Sequence, residues 1–356
     1  MKPWELNIRR VVPYVPGEQP NKQGMVKLNT NENPYPPAPG VKKVLQELDT
    51  DLLRLYPDPT IKRLVEELSR FYHLNNDQIF VGIGSDDVLA MAFLTFFNSE
   101  KPVLYPDITY SFYPVWCDLF KIPYETPALD NDFRIQAHDF YKENGGVIIA
   151  NPNAPTSIYE ALSVMEDIIK HNQDVVVIVD EAYIDFAGKS ALELIDKYDN
   201  LLVVQTFSKS RSMAGMRIGY AMGNPDLIKA LNDVKYSFNS YTMNQTAIVA
   251  GVEAVKDEAY FREGIKKIIT TRDRTERELK KLGFTFPESG SNFIFSSHEY
   301  IPAKQIFEAL RENNIYVRYF NLPRISNYLR ISIGTEEEMD HLLTYLKDYI
   351  TAYSKL

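Results

Sequence analysis

Gln205-Thr-Phe-Ser-Lys-Ser-Arg-Ser-Met-Ala-Gly-Met-Arg-Ile-Gly219 follows directly on an apolar run, Leu201-Leu-Val-Val204. Its lysine, Lys209, therefore stands at a strand exit, with Ser208 and Ser210 beside it. Arg217 lies eight positions on, just past Gly215. A lysine at a strand end can form a Schiff base to a phosphorylated aldehyde while a hydroxyl and a guanidinium hold the phosphate. A solvated loop can also carry Lys and Arg without any such role, so the other strand ends have to decide.

The 356 residues suffice for one large domain and a smaller one. Apolar residues make up 45% and charged residues 24%, the balance of a globular protein. The net charge of −9 offers no basic face for nucleic acid, although a local cation cluster can still take an anion. With Cys117 alone no internal disulfide can form, which fits a reducing cytoplasm. The stretch Met1-Lys-Pro-Trp-Glu-Leu-Asn7 has no apolar core of the signal-peptide kind, and no run is long enough to suggest a membrane span. The five histidines are scattered without metal-ligand spacing, so no metal is expected.

Residues 1–40 read as an irregular arm with a short strand near Met25–Leu28. The arm holds Tyr14 and the loop Leu28-Asn-Thr-Asn-Glu-Asn-Pro34, either a plain turn or a set of amides that reach a ligand. A helix over 41–53 precedes Arg54-Leu-Tyr-Pro-Asp-Pro59, a rigid extended segment with Tyr56 at its apex. Ile79-Phe-Val-Gly-Ile-Gly-Ser85 reads as a strand entering a glycine turn, with a helix from Asp86. Such a turn gathers free N–H groups for an anion. Asp87 occupies the place of the third glycine of a dinucleotide fingerprint, so that fold is not supported. Pro102–Asp107 leads to an aromatic turn with Tyr110 and Tyr113. Val147–Ala150 ends in Asn151-Pro-Asn-Ala-Pro-Thr156, and Val175–Val179 ends in Asp180-Glu-Ala-Tyr183. A carboxylate at the end of a buried strand needs a cation, either a salt-bridge partner or a protonated pyridine.

Strands alternating with helices over 79–223 predict an α/β fold with a mostly parallel sheet flanked by helices. Ligands of such sheets sit outside the carboxyl ends of the strands. The anion turn, the aromatic turn, the Asn-Pro turn, Asp180 and Lys209 then converge on one edge. Beyond Pro225 the pattern turns helical, with a long helix over 257–282 ending at Gly283. The remainder reads as a small α+β domain whose strands carry Arg318 and Arg330, either solvated strand residues or anchors for an anion.

Taken together, the ordered motifs Leu28–Pro34, Arg54-Leu-Tyr-Pro57, Thr109-Tyr-Ser-Phe-Tyr113, Val179-Asp-Glu-Ala-Tyr-Ile184, Phe207-Ser-Lys-Ser210 and Met216-Arg-Ile-Gly-Tyr220 resemble the fold-type-I family of pyridoxal-phosphate-dependent aminotransferases, in particular its histidinol-phosphate branch. The resemblance runs from Val12 to Gly334. It implies pyridoxal 5'-phosphate as cofactor, Lys209 as the Schiff-base lysine, Asp180 on the pyridinium nitrogen, Tyr183 on the phenolic oxygen and Tyr110 on the ring face. Ser208, Arg217, Ser85 and Asp86 would hold the cofactor phosphate. Tyr56 would reach the cofactor of a neighbouring subunit, making a homodimer with shared sites. Arg330 would bind the acidic end of the substrate, helped by Arg318, Tyr14 and Asn33. The implied division is an arm with part of the small domain (1–40), a large cofactor-binding domain (41–255) and a small C-terminal domain (256–356). Histidinol phosphate and glutamate or 2-oxoglutarate are the implied substrates, in histidine biosynthesis. Same-fold alternatives are an aromatic-amino-acid aminotransferase and a threonine-phosphate decarboxylase. From another class, a non-enzymatic binding protein of this fold would have no use for an intact Lys209, Asp180 and Arg217.

The sequence departs from the family at Ala154, where an asparagine usually donates to the phenolic oxygen. Either Tyr183 serves alone, or Asn151, Asn153 or a water substitutes. Loss of a donor to a phenolate should make the lysine–cofactor adduct titrate higher.

Overall fold

Val177–Asp180 lies at the centre of a seven-stranded sheet and is buried along its whole length. The computed structural model describes residues 2–354; Met1, Lys355 and Leu356 lie outside it. The strand order is Ile79–Gly82, Gly219–Gly223, Leu201–Thr206, Val177–Asp180, Gly146–Ala150, Val103–Leu104, Tyr124–Glu125. Gly219–Gly223 runs against both of its neighbours, while the remaining pairs are parallel. The near-continuous apolar runs are explained by what covers them. Val147, Ile149, Val177, Val179, Leu201 and Val203 enter one core. The alternate residues Ile148, Ile178, Leu202 and Val204 enter the other, so both faces are dry.

The reversed strand has a positional consequence. A strand that runs backwards begins at the edge where its parallel neighbours end. Arg217, two residues before Gly219, is thereby delivered to the same edge as Asp180 and Lys209.

A third core forms around a four-stranded antiparallel sheet, in the order Arg318–Tyr319, Leu329–Ser332, Phe293–His298, Phe284–Thr285. The arm strand Val26–Lys27 pairs in parallel with Ile315–Tyr316, and Val26 and Leu28 enter this core. The stretch that carries Arg318 forms two short strands, Ile315–Tyr316 and Arg318–Tyr319, in different sheets, because the chain changes partner at Val317. The helix expected over 41–53 stops at Gln46. Asp49 then caps a separate short turn, Thr50–Arg54, by accepting from the Asp51 N–H. The long helix is Glu258–Lys281, capped by Asp257 and followed by Gly283 at φ +83°.

The contact between the reversed strand and the glycine turn is unusually close. A Cβ on Gly219 would lie 2.2 Å from the Gly84 carbonyl carbon and 2.2 Å from the Ser85 nitrogen. Both are backbone atoms and cannot swing away. Gly219→Ala is therefore expected to cost about 2–3 kcal/mol of stability. It should also loosen the anion turn. Urea unfolding checks this, and a variant that unfolds with the wild type would contradict it.

Candidate active site

A cleft of about 440 Å³ opens at the carboxyl edge of the large sheet. Eleven of the residues singled out from sequence line it: Tyr14, Ser85, Asp86, Tyr110, Asp180, Tyr183, Ser208, Lys209, Arg217, Arg318 and Arg330. Tyr56, Asn33 and Asn153 do not.

Asp180 sits at the base, 4% exposed. The Tyr113 hydroxyl donates to it at 2.8 Å and the Ala182 N–H at 3.3 Å. Burial outweighs both bonds and pushes its carboxyl up to about 6. Among the described residues Asp180 has no salt-bridge partner. A buried carboxylate that lacks a cation matches the protonated nitrogen of a pyridine ring. The next residue, Glu181, points away from the cleft. It accepts from Ser190, the Ala191 N–H and Gln205, and burial pushes it up to about 7.

The phosphate end is built from backbone and arginine. Ser85 opens the helix Ser85–Phe96, whose first-turn N–H groups face the cleft edge. Gly84 precedes it at φ +84°, and a Cβ there would meet the Arg217 guanidinium at 2.5 Å. Only glycine lets that arginine lie against the turn. Arg217 pairs with Asp86 at 3.0 Å, and Asp86 also accepts from the Tyr110 hydroxyl at 2.7 Å. Asp87 turns back to the Ile83 N–H. The Ser208 hydroxyl accepts from Thr206 and keeps its own hydrogen free for the cleft. Ser210, the other serine beside Lys209, bonds Asp185 instead.

Lys209 Nζ lies 5.7 Å from the centre of the Tyr183 ring and 3.4 Å from the Thr30 carbonyl oxygen. Asn33 has a different part from the one its motif suggested. Its amide donates to the carbonyls of Lys209 and Ser210 at 3.0 and 3.2 Å, so it anchors the lysine loop to the arm. Asn153 is also fully engaged. Its amide donates to Ile108 and Thr156, and its oxygen accepts from Thr109. Asn151 is held by two bonds to the Glu160 backbone. Neither asparagine can replace the donor missing at Ala154, which lines the cleft. Tyr56 is 81% exposed and stacks on Tyr241 at 4.6 Å.

At the mouth, Tyr14 stacks on Phe112 with ring centres 4.1 Å apart. Arg318 and Arg330 are direct cross-strand partners in the antiparallel small sheet. Like charges placed so are destabilising without an anion. Neither arginine has a carboxylate partner among the described residues, and both lie over the Phe320 ring at 5.6 Å. Burial, then the nearby Arg318, push the Arg330 guanidinium down from its ordinary value, and its Nε is buried without a partner. The cleft thus offers an anion turn, a lysine, a cation-seeking carboxylate and a second, paired-arginine anion site. The donor set fits pyridoxal phosphate together with an anionic substrate.

The sequence reading missed two contributors. Tyr113 was an undifferentiated aromatic, yet its hydroxyl holds Asp180. Asn31 lay inside a motif already marked, yet it is Asn31, not Asn33, that lines the cleft and donates to the Tyr183 hydroxyl at 2.9 Å.

The chain matches the family described as aminotransferase class I and II over residues 23–346. It is 51% identical over 347 residues to a histidinol-phosphate aminotransferase of Lactococcus lactis subsp. cremoris (strain MG1363), covering 98% of each chain. It is 50% identical over 349 residues to one of Clostridium botulinum (strain Okra / Type B1), covering 98% of this chain and 99% of the other. A crystal structure of histidinol-phosphate aminotransferase from Sinorhizobium meliloti in complex with pyridoxal-5'-phosphate superimposes with TM-score 0.83 at 24% identity, covering 92% and 91%.

Asp180 generates a pH-dependent expectation. Its carboxyl is raised from an ordinary 3.8 to about 6, so its stabilising contribution is complete below the lower value and is lost as pH rises through the upper one. Above pH 7 the ionised group costs the cofactor-free protein about 3 kcal/mol. Asp180→Asn should raise the unfolding midpoint of cofactor-free protein at pH 8, with the gain shrinking as pH falls towards 5. The same variant should bind pyridoxal phosphate more weakly. Thermal melts across pH, with cofactor titration, check both; an unchanged midpoint at pH 8 would contradict the assignment.

Proposed function

This chain belongs to the class I and II aminotransferase family, and we propose that it catalyses the reversible transamination of histidinol phosphate with 2-oxoglutarate, giving imidazole-acetol phosphate and glutamate in histidine biosynthesis. The observation that carries the reading is the Arg318–Arg330 cross-strand pair at the mouth, without a carboxylate partner. Two guanidiniums offer bidentate contacts to a phosphate ester in one half-reaction and a carboxylate in the other. Half-identical relatives named for the same reaction support it.

When bound, pyridoxal phosphate supplies an electron sink for the pair left as the substrate Cα–H bond breaks. The chain's own groups do the rest. Lys209 Nζ would hold the cofactor aldehyde carbon, and its amine is the group that would accept the proton from the substrate α-carbon. Asp180 would keep the pyridine nitrogen protonated. Tyr183 would donate to the ring oxygen, and Tyr110 would lie on the ring. Arg217, Ser208 and the N–H groups at Ser85 and Asp86 would hold the cofactor phosphate. Arg330, with Arg318 and Tyr14, fixes the substrate anion and so orients its α-carbon towards Lys209.

The active unit in this reading is a homodimer. Leu53, Leu55 and Tyr56 in one segment and Phe238 and Tyr241 in another are exposed apolar side chains, bridged by the Tyr56–Tyr241 stack. A second copy would cover them and bring Tyr56 to the neighbouring cofactor. Among the described residues no helix is long and apolar enough to cross a membrane. Cys117 is a free, buried thiol, which suits a cytoplasmic location.

Single-turnover reactions with histidinol phosphate, phenylalanine and threonine phosphate test the reading. Histidinol phosphate should react fastest, without release of CO2; faster turnover of phenylalanine, or decarboxylation of threonine phosphate, would overturn it. Arg318→Gln should raise KM for histidinol phosphate about ten- to a hundred-fold, the loss of one charge-assisted contact. It should not lower the melting point, because it relieves a like-charge pair. A lower melting point with unchanged KM would make Arg318 structural.

A further inference from the structure

Asn31 is held in an unusual state for a residue at a cleft wall. It is 1% exposed and adopts φ +56°, in the left-handed region that asparagine tolerates better than most residues. Every polar group it owns is committed. Its N–H donates to Ser332 Oγ at 2.8 Å, and its carbonyl accepts from the Asn292 amide at 3.0 Å. Its side-chain oxygen accepts from Ser332 Oγ at 3.0 Å, and its side-chain nitrogen donates to the Tyr183 hydroxyl at 2.9 Å.

These bonds fix the direction of protons. Ser332 Oγ receives the Asn31 backbone hydrogen, so its own hydrogen goes to Asn31 Oδ1. That leaves Nδ2, a donor only, facing Tyr183. The Tyr183 oxygen therefore accepts from Asn31, and its hydrogen is free to point into the cleft. A carboxylate or carbonyl at this place would draw that hydrogen back into the wall. Across the cleft, Ala154 presents no donor, and Asn151 and Asn153 are bound to backbone and threonine groups.

We propose that Asn31 is a positioning residue that locks the Tyr183 hydroxyl as a hydrogen-bond donor into the cleft, and that this polarity lock lets one donor serve the cofactor's ring oxygen where Ala154 supplies none. The inference rests on the proposed pyridoxal phosphate chemistry. Asn31 touches neither substrate nor cofactor in this role; it acts through Tyr183. Asp180, Glu32, Arg330 and Tyr110 also face the cleft near Tyr183 and Lys209 and are unaltered in the variants compared below, so their effects cancel between them.

Two readouts on purified protein test this: the pH titration of the visible absorption of the bound cofactor, and the Kd for pyridoxal phosphate added to cofactor-free protein. Tyr183→Phe should raise the spectroscopic pKa by about one unit and weaken cofactor binding about tenfold. Asn31→Asp, nearly isosteric but able to accept from Tyr183, should do the same, and the double variant should go no further than either single one. Ala154→Asn on the wild-type background should lower the spectroscopic pKa, and on the Asn31→Asp background it should restore it. If Asn31→Asp keeps the wild-type pKa and Kd while Tyr183→Phe shifts them, the lock is wrong. If Asn31→Asp does not fold, Ala154→Asn decides alone, and an unchanged pKa there would overturn the single-donor arrangement. Failure of the underlying cofactor reading looks different: the wild type would then show no visible band at all.

Discussion

A carboxylate buried at the end of a central parallel strand is tolerable only if something answers its charge. Asp180 has a tyrosine hydroxyl and one backbone N–H, and these do not offset its desolvation. The strand cannot be moved, because Val177 to Val179 is locked into two cores on opposite faces. The charge is thus held where a cationic ring nitrogen can use it. In the proposed role, stability given up by the buried carboxyl becomes affinity for the cofactor, a linkage between binding and folding rather than a defect.

Around that fixed point the fold supplies the remaining groups by topology. Parallel strands bring Asp180 and Lys209 to one edge. The reversed strand brings Arg217 to the same edge from the opposite direction; the missing Cβ of Gly219 lets that strand approach the turn, and the missing Cβ of Gly84 lets the guanidinium lie against it. The arm then ties the small domain to the large sheet. Val26–Lys27 joins the small-domain strands, while Asn33, a few residues on, bonds the backbone of Lys209. The paired arginines of the small sheet therefore line one cleft with the lysine of the large one.

Much of this was legible in the sequence because strand ends carry their own signals. Lys209, Asp180 and the Gly82–Ser85 turn each follow an apolar run, and that alone places them on one edge. Tyr113 and Asn31 were not legible, because their partners lie 67 and 152 positions away. Nothing local marks Asn31 rather than Asn33 as the cleft residue; the left-handed backbone at Asn31 makes that choice. Arg318 and Arg330 were read as separate anchors. Their direct opposition depends on strand register, which also required seeing that the chain changes sheets at Val317. The alanine at position 154 was visible from the start, but its consequence rested on which neighbouring amides were already engaged.

In the proposed reading Lys209 is the residue to which the cofactor is joined. Borohydride reduction of the purified holoprotein, followed by peptide mapping, tests this. A single pyridoxyl group on Lys209, absent from Lys209→Ala, is the expected result. A pyridoxyl group on a different lysine, or a Lys209→Ala protein that is still labelled to the same extent, would contradict it.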